Sequence, residues 1–264
     1  MRLYDVIRNA FILTGTHFGP MIVNRLDYGF NESDNTFSGV GADLLEHNEY
    51  RRPEIDECFE IIKDRYKRFG RGVMVLDIGA NIGTYTLGWA HRMHKWGCIL
   101  AIEAQERIFY ALAGNVALNN CFNVQAMHAV VKETSGIMTI PEIDLCSGPA
   151  NFGGLSLTDA DKSYDVIGKV RVPSIAIDDL KLQRLDFMKI DVQGMELEVL
   201  RGAKETIAKC NPVIVIEANF SSDEFCYTIP GYSCRKFGCI DYLMEPLEDE
   251  PVIEQPLSAK ESIV

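Results

Sequence analysis

Asp77, Gly79, Asn81 and Gly83 fall on alternate positions of the stretch VMVLDIGANIGTYTLGWA, residues 73–90. An apolar run that stops at an aspartate, crosses small residues and resumes as an apolar helical pattern reads as strand, tight turn and helix. Such a turn brings backbone N–H groups and a helix amino terminus up to a ligand, as nucleotide-binding turns do. A phosphate loop would need G-x-x-x-x-G-K-[ST], and no lysine with a following Ser or Thr stands after Gly83 in the required place. A dinucleotide fingerprint would need G-x-G-x-x-G, and Gly79-Ala80-Asn81-Ile82-Gly83 has the wrong spacing. The pattern D-x-G-x-[GN]-x-G is met at every position; a plain strand-to-helix turn without a ligand is the alternative. Glu103, in LAIEA, ends the second apolar run twenty residues past Gly83. An acid at a strand's carboxyl end can accept hydrogen bonds from both hydroxyls of a ribose, or simply face solvent.

These residues need a frame to hold them. After Gly72 short apolar runs, VMVLDI, CILAIEA, NVQAMHAVV, DFMKIDV and PVIVIEA, alternate with helical patterns at Thr84 to His94, Glu106 to Asn119 and Met195 to Lys209. That alternation predicts an α/β fold with a mostly parallel sheet covered on both faces. GIMTIPEI and GKVRVPSIAIDDL are expected as edge strands around the loop NFGGLSL, where a doubly wound sheet carries ligand-facing loops. PGYSCRKFGCIDYLMEP reads as an antiparallel hairpin that closes the sheet. Upstream, PEIDECFEIIKDRYKRF puts Ile55, Phe59, Ile62 and Tyr66 on one helical face behind Pro53, and Leu3, Val6, Ile7, Ala10 and Phe11 predict a short amphipathic helix.

The stretches DIGANIGTYTL, ALNNCFNVQ, IDDLKLQRLDFMKIDVQGMELEVLRGA and VIVIEA together resemble the FkbM-type family of class I S-adenosylmethionine-dependent methyltransferases, over about residues 40–218. The family shares an I-D-D-L segment and a K-I-D-V-E-G-x-E-L-x-V-L-x-G-A signature. The resemblance implies a doubly wound, mostly parallel seven-stranded sheet with helices on both faces, an antiparallel C-terminal hairpin, and S-adenosylmethionine as methyl donor. It also implies O-methylation of a hydroxyl on a small molecule or carbohydrate. Residues 1–70 would then be a helical or irregular cap over the pocket, 71–245 the methyltransferase domain, and 246–264 an acidic tail. Carried over by position, Asp77, Gly79, Ala80, Asn81, Gly83 and Thr84 form the cofactor turn. Glu103 and Ala104 meet the ribose, His128 and Ala129 run along the adenine, and Asp191 stands at the end of the fourth strand. Gln193 departs from the signature's glutamate, which weakens a metal-assisted mechanism here, and the segment after Glu217 is short for the helix that usually precedes the last hairpin.

Methyl transfer from a sulfonium needs an in-line acceptor and removal of the acceptor's proton. Asp191 could orient a hydroxyl and take its proton, or cap a turn; Glu217 shares its sheet edge, so the two form a candidate catalytic pair. Glu196, at a helix start, suits the helix dipole better than catalysis. The D-P-P-Y type of motif that serves exocyclic amines is absent, DVQG standing in its place. A net charge of −12 argues against nucleic acid as a partner. Eight cysteines without a C-x-x-C pair read as reduced thiols, and no long apolar segment appears, so a soluble, cytoplasmic protein without a membrane partner is expected. His91 and His94, three apart on an expected helix, have no third ligand nearby in sequence, and Cys226, Cys234 and Cys239 lack paired ligand spacing, so no metal is expected. Gly153 and Gly154 could form a lid over the acceptor or merely turn a loop. A non-catalytic S-adenosylmethionine-binding module and an NAD-binding oxidoreductase are the competing functions, the latter disfavoured by the glycine spacing.

Overall fold

The computed structural model describes residues 9–31, 36–146, 148–155, 165–217, 229–238 and 241–247. Leu3, Val6 and Ile7 of the expected first helix, Cys226, Cys239, the segment directly after Glu217 and the tail beyond residue 247 lie outside them. The chain opens with an antiparallel hairpin, β1 (Phe11–Thr16) and β2 (Gly19–Asn24), followed by the short pair β3 (Gly29–Asn31) and β4 (Thr36–Ser38). Phe11, assigned from its spacing to a helix, therefore begins a strand. The reason is tertiary: the Asn115 side chain accepts from Ile22 N (2.6 Å) and donates to Ile22 O (3.2 Å), and Asn119 donates to Pro20 O (2.8 Å). Two asparagines of a later helix thus bond the β2 backbone as a neighbouring strand would.

Helices α1 (Val40–Glu46) and α2 (Arg52–Phe69) follow, α2 with Pro53 in its first turn and Ile55, Cys58, Phe59 and Ile62 buried along one stripe. Then come β5 (Val73–Ile78), α3 (Thr84–Met93), β6 (Gly97–Glu103), α4 (Glu106–Leu118), β7 (Val124–His128) and β8 (Val130–Val131). Beyond them lie β9 (Gly136–Ile143), β10 (Val166–Ile175), β11 (Phe187–Ile190), α5 (Glu196–Arg201), α6 (Lys204–Cys210) and β12 (Val213–Glu217). The hairpin β13 (Tyr232–Phe237) and β14 (Asp241–Pro246) is the last pair described. Gly202 and Ala203 separate α5 from α6, where one helix was expected; a Cβ on Gly202 would overlap the Lys132 carbonyl.

The main sheet has seven strands in the order β13-β14-β12-β11-β5-β6-β7. β12, β11, β5, β6 and β7 run parallel, and β14 is antiparallel to both neighbours. β9 and β10 are not edge strands of it. They pair with each other and β10 pairs with β8, making a separate three-stranded sheet, because the chain leaves the main sheet after His128 and restarts pairing two residues later.

Strand alternation sorts the core onto two faces. Val73, Val75, Phe187, Val213 and Val215 pack towards α2 and α3, while Met74, Leu76, Met188, Ile190, Ile214 and Ile216 pack towards α5 and α6. The amino ends of β5 and β11 are pinned by Arg184, which binds Asp186 through two nitrogens (2.7 and 3.0 Å), while Asp186 accepts from Met74 N (2.9 Å). Their carboxyl ends diverge into α3 and α5 at the switch point of the sheet, where open α/β folds bind ligands.

Candidate active site

The same alternation that buries Val75 and Phe187 turns Asp77 and Lys189, paired across β5 and β11, towards α3. One row further, Asp191, Glu217 and Asp241 share that face; Glu217 and Asp241 are direct partners across β12 and β14. Three acids thus stand side by side along the carboxyl edge. A cavity of about 420 Å³ opens above them, lined by the turn after β5, the ends of β6, β11 and β12, residues 152–155, and residues from around α1 and before α2.

The turn is built by left-handed backbone at Gly79 (φ 75), Asn81 (φ 51) and Gly83 (φ 94). A Cβ on Gly79 would overlap the carbonyl oxygen of Asp191, and one on Gly83 would press Leu112. The glycines are therefore demanded by close approach of the chain to itself, and that approach brings the turn against the Asp191 backbone. Gly79 N and Ala80 N donate to Ile102 O (2.9 and 3.0 Å), which spends two of the turn's amides on β6. Asn81 N donates to Glu103 Oε2 (3.0 Å) and Gln105 N to Glu103 Oε1 (2.8 Å), so backbone donors fix the carboxylate at the cavity wall. Burial, opposed by those bonds, pushes Glu103 up to about 7. Asp77 is fully buried, with Oδ2 accepting from Thr86 Oγ1 (2.5 Å) and Oδ1 without a hydrogen-bond partner among the described residues.

Lys189 is buried, reaches Asp191 Oδ2 at 2.9 Å and lies under the Tyr85 ring, 4.7 Å from its centroid. Tyr85 is wedged by Trp89, whose Nε1 donates to Ile55 O (3.0 Å), so α2 and α3 clamp the ring in place. Burial favours the neutral amine, yet Asp191 and Asp77 outweigh it and hold Lys189 protonated. Asp191 keeps its charge in return: burial acts against it, but the Lys189 ammonium lowers it below the ordinary carboxylate value. Gln193, itself left-handed (φ 53), donates from Nε2 to Asp191 Oδ1 (2.8 Å) and to Glu217 Oε1 (3.1 Å). Burial, then repulsion from Asp191, pushes Glu217 up to about 7.

Asp77, Gly79, Ala80, Asn81, Thr84, Glu103, Ala104, Ala129, Asp191 and Glu217 all line the one cavity. Gly83 and His128 do not. Gly83 is the cap of α3, and His128 stacks on Phe109 (5.2 Å) with Nε2 3.0 Å from Ala104 O, behind the wall. Glu196 accepts from Gly194 N through both oxygens (3.0 and 3.1 Å), a helix-start contact. His91 rests its Nε2 against Cys121 Sγ (3.8 Å). Gly153 and Gly154 belong to a short 3₁₀ turn, Phe152–Gly154, tied down by Phe152 N donating to buried Asp27 Oδ1 (2.8 Å). Tyr50, an aromatic residue suited to the C–H face of a sugar-like acceptor, lines the cavity. Sequence reasoning missed Arg51 and Lys189: for Lys189 a signal existed, a single cation inside the apolar strand FMKI, and for Arg51 none did.

Residues 77–248 match the methyltransferase FkbM domain family. The chain belongs to that family. It is 26% identical over 186 residues to Methyltransferase 1 of Beauveria bassiana (strain ARSEF 2860), which spans 65% of this chain and 72% of the relative. It is 27% identical over 192 residues to Methyltransferase sdnD of Sordaria araneosa, spanning 59% of this chain and 68% of the relative. Among solved structures it is similar to methyltransferase FkbM from Methylobacillus flagellatus KT (16% identity, TM-score 0.46), over 78% of this chain and 60% of that one. Another is the O-methyltransferase from Bacillus cereus in complex with SAH (15% identity, TM-score 0.46, 77% of this chain and 84% of that one). As an FkbM-family methyltransferase the chain uses S-adenosylmethionine as its donor. The cavity suits that donor: Glu103 has lone pairs for hydroxyl donors, the buried Asp77 Oδ1 lacks one, and the acids around Asp191 offset a cationic ligand. No helix among the described residues is long and apolar enough to cross a membrane.

Proposed function

We propose that this methyltransferase is an O-methyltransferase acting on a hydroxyl of a small molecule or carbohydrate. One observation carries the reading: Asp191 and Glu217 both accept from the Gln193 amide and both line the cavity that holds the glycine turn. A hydroxyl must lose its proton as its oxygen is methylated, because the oxonium product would be strongly acidic, whereas a neutral amine can be methylated to a stable ammonium. Glu217, pushed to about 7 by burial and by Asp191, is matched to receive that proton near neutral pH. Asp191, paired with Lys189, is the weaker base and serves to orient.

Bound S-adenosylmethionine supplies a methyl group on a positively charged sulfur. For the chain's part, Glu103 accepts from ribose hydroxyls, the Gly79–Thr84 turn and Asp77 hold the amino-acid end, and Ala104 and Ala129 flank the base. Gly83 and His128 support that wall from behind. Residues 152–155 and Tyr50 wall the acceptor side and exclude water.

The test is product chemistry. Purified enzyme with methyl-labelled S-adenosylmethionine is offered monosaccharides, polyols, phenols and matched amines. We expect label in ether methyl groups and a loss of about 10²-fold or more in Glu217→Gln. Label confined to amines or to carboxyl esters would sink the proposal.

A further inference from the structure

Arg51 precedes α2 in left-handed backbone (φ 42), a strained conformation for a residue with a side chain. It lies outside the segment that matches the family, residues 77–248, yet it lines the cavity. Its guanidinium stands between two acids: Nη1 is 3.6 Å from Glu217 Oε2 and 3.3 Å from Asp241 Oδ2. Those two residues face each other across β12 and β14, an arrangement of like charges that destabilises a sheet unless a cation is shared. Asp241 is buried at 2% exposure, and neither of its carboxylate oxygens has a hydrogen-bond partner among the described residues. Arg51 is thus the cation that makes the pair tolerable, delivered by the capping position just before α2 and anchored by that helix's buried stripe.

We propose that Arg51 is a positioning residue of the acceptor site: shared between Glu217 and Asp241, it fixes the orientation and charge of the Glu217 carboxylate. The proposal rests on the reading of Glu217 as the acceptor-binding acid. With Gln193 holding Oε1 and Arg51 lying against Oε2, both carboxylate oxygens have fixed partners while Glu217 still lines the cavity. The charged or titratable groups around Glu217 and its cation are Asp191 and Lys189 on β11 and its end, Asp241 on β14, Tyr50 and Arg51 before α2, Tyr85 on α3 beside Arg51 and Lys189, and Glu54 on α2 beside Asp241. Of the two cations, Lys189 hydrogen-bonds Asp191, which leaves Arg51 as the one adjustable by a change in β14.

The experiment reads Glu217 directly and needs no acceptor. Protein carrying 13C at glutamate side-chain carboxyls is titrated by NMR, the Glu217 signal being assigned by its loss in Glu217→Gln. Arg51→Met is expected to move the Glu217 midpoint up by about one pH unit or more, as loss of a cation at ion-pair distance should. Arg51→Lys should restore it most of the way. Asp241→Asn should move it down, by more in the Arg51 protein than in Arg51→Met, since only there is a shared cation released to Glu217; a purely structural role for Arg51 predicts the same shift in both backgrounds. An unmoved midpoint in Arg51→Met overturns the proposal. Should that variant not fold, an unmoved midpoint in Asp241→Asn does so. Methyl transfer undiminished in Glu217→Gln would instead remove Glu217 from the reaction, and the titration would stand apart from that failure.

Discussion

Glu217 and Glu103 are carboxyl groups whose burial makes the folded protein bind a proton more tightly than the unfolded chain does. Each moves from an ordinary 4.5 to about 7. Linkage gives the sign: between about pH 4.5 and pH 7 the folded state holds more protons, so stability present at lower pH is lost as pH rises through that window. Asp191 works the other way, its lowered value making its contribution present above the ordinary range and lost in acid. Replacing Glu217 by Gln removes one of the two destabilising ionisations while keeping an acceptor for the Gln193 amide. In calorimetric melts without cofactor, the variant is expected to gain on the wild type by a few degrees between about pH 5 and pH 8. A difference in melting temperature that stays constant across that range would show that Glu217 does not titrate there.

At the level of elements, the turn after β5 carries the tightest constraint. Gly79 combines φ 75 with a Cβ position filled by the Asp191 carbonyl, so the β5 turn and the end of β11 are built as one piece. Gly79→Ala adds about 1–2 kcal/mol of left-handed strain before the overlap is relieved. Relief requires β11 to move, which carries Asp191 away from Gln193. A fall in melting temperature on the order of 10 °C is expected, with binding of S-adenosylhomocysteine by calorimetry weakened more than tenfold. Wild-type affinity in the variant would mean that the turn and β11 are not coupled. This turn, β6, Glu103 and the closing hairpin were legible from sequence because each is a local pattern, an apolar run ended by a particular residue. The β1–β2 hairpin was not, since its register comes from Asn115, some ninety residues away in the chain. Nor were β9 and β10, whose alternation fits any sheet and does not say which one. Arg51 escaped for the same reason: the first arginine of an Arg-Arg-Pro run has no pattern, and its meaning lies in where α2 begins above the three acids.

Over the whole molecule, charge is the property that reaches furthest. The chain carries a net −12, and the cavity repeats that sign: Asp43, Asp77, Glu103, Asp191 and Glu217 line it against Arg51 and Lys189. Lys189 is engaged by Asp191, and Arg51 is divided between Glu217 and Asp241, so neither cation is left to attract an anion. S-adenosylmethionine and S-adenosylhomocysteine differ by one methyl group and by the positive charge on sulfur, and they therefore probe this field with nearly constant shape. The charged donor should gain from the acidic lining and the neutral sulfur compound should not. Salt screens the part of the field that reaches solvent, with a Debye length falling from about 30 Å at 0.01 M to about 3 Å at 1 M. Raising sodium chloride from about 20 mM to about 500 mM should therefore weaken the donor several-fold more than the product analogue. Titration calorimetry of both ligands at the two salt concentrations measures that ratio. Parallel losses for the two compounds would mean that the acids at the carboxyl edge are held neutral by their neighbours, and that the enzyme selects its donor by shape alone.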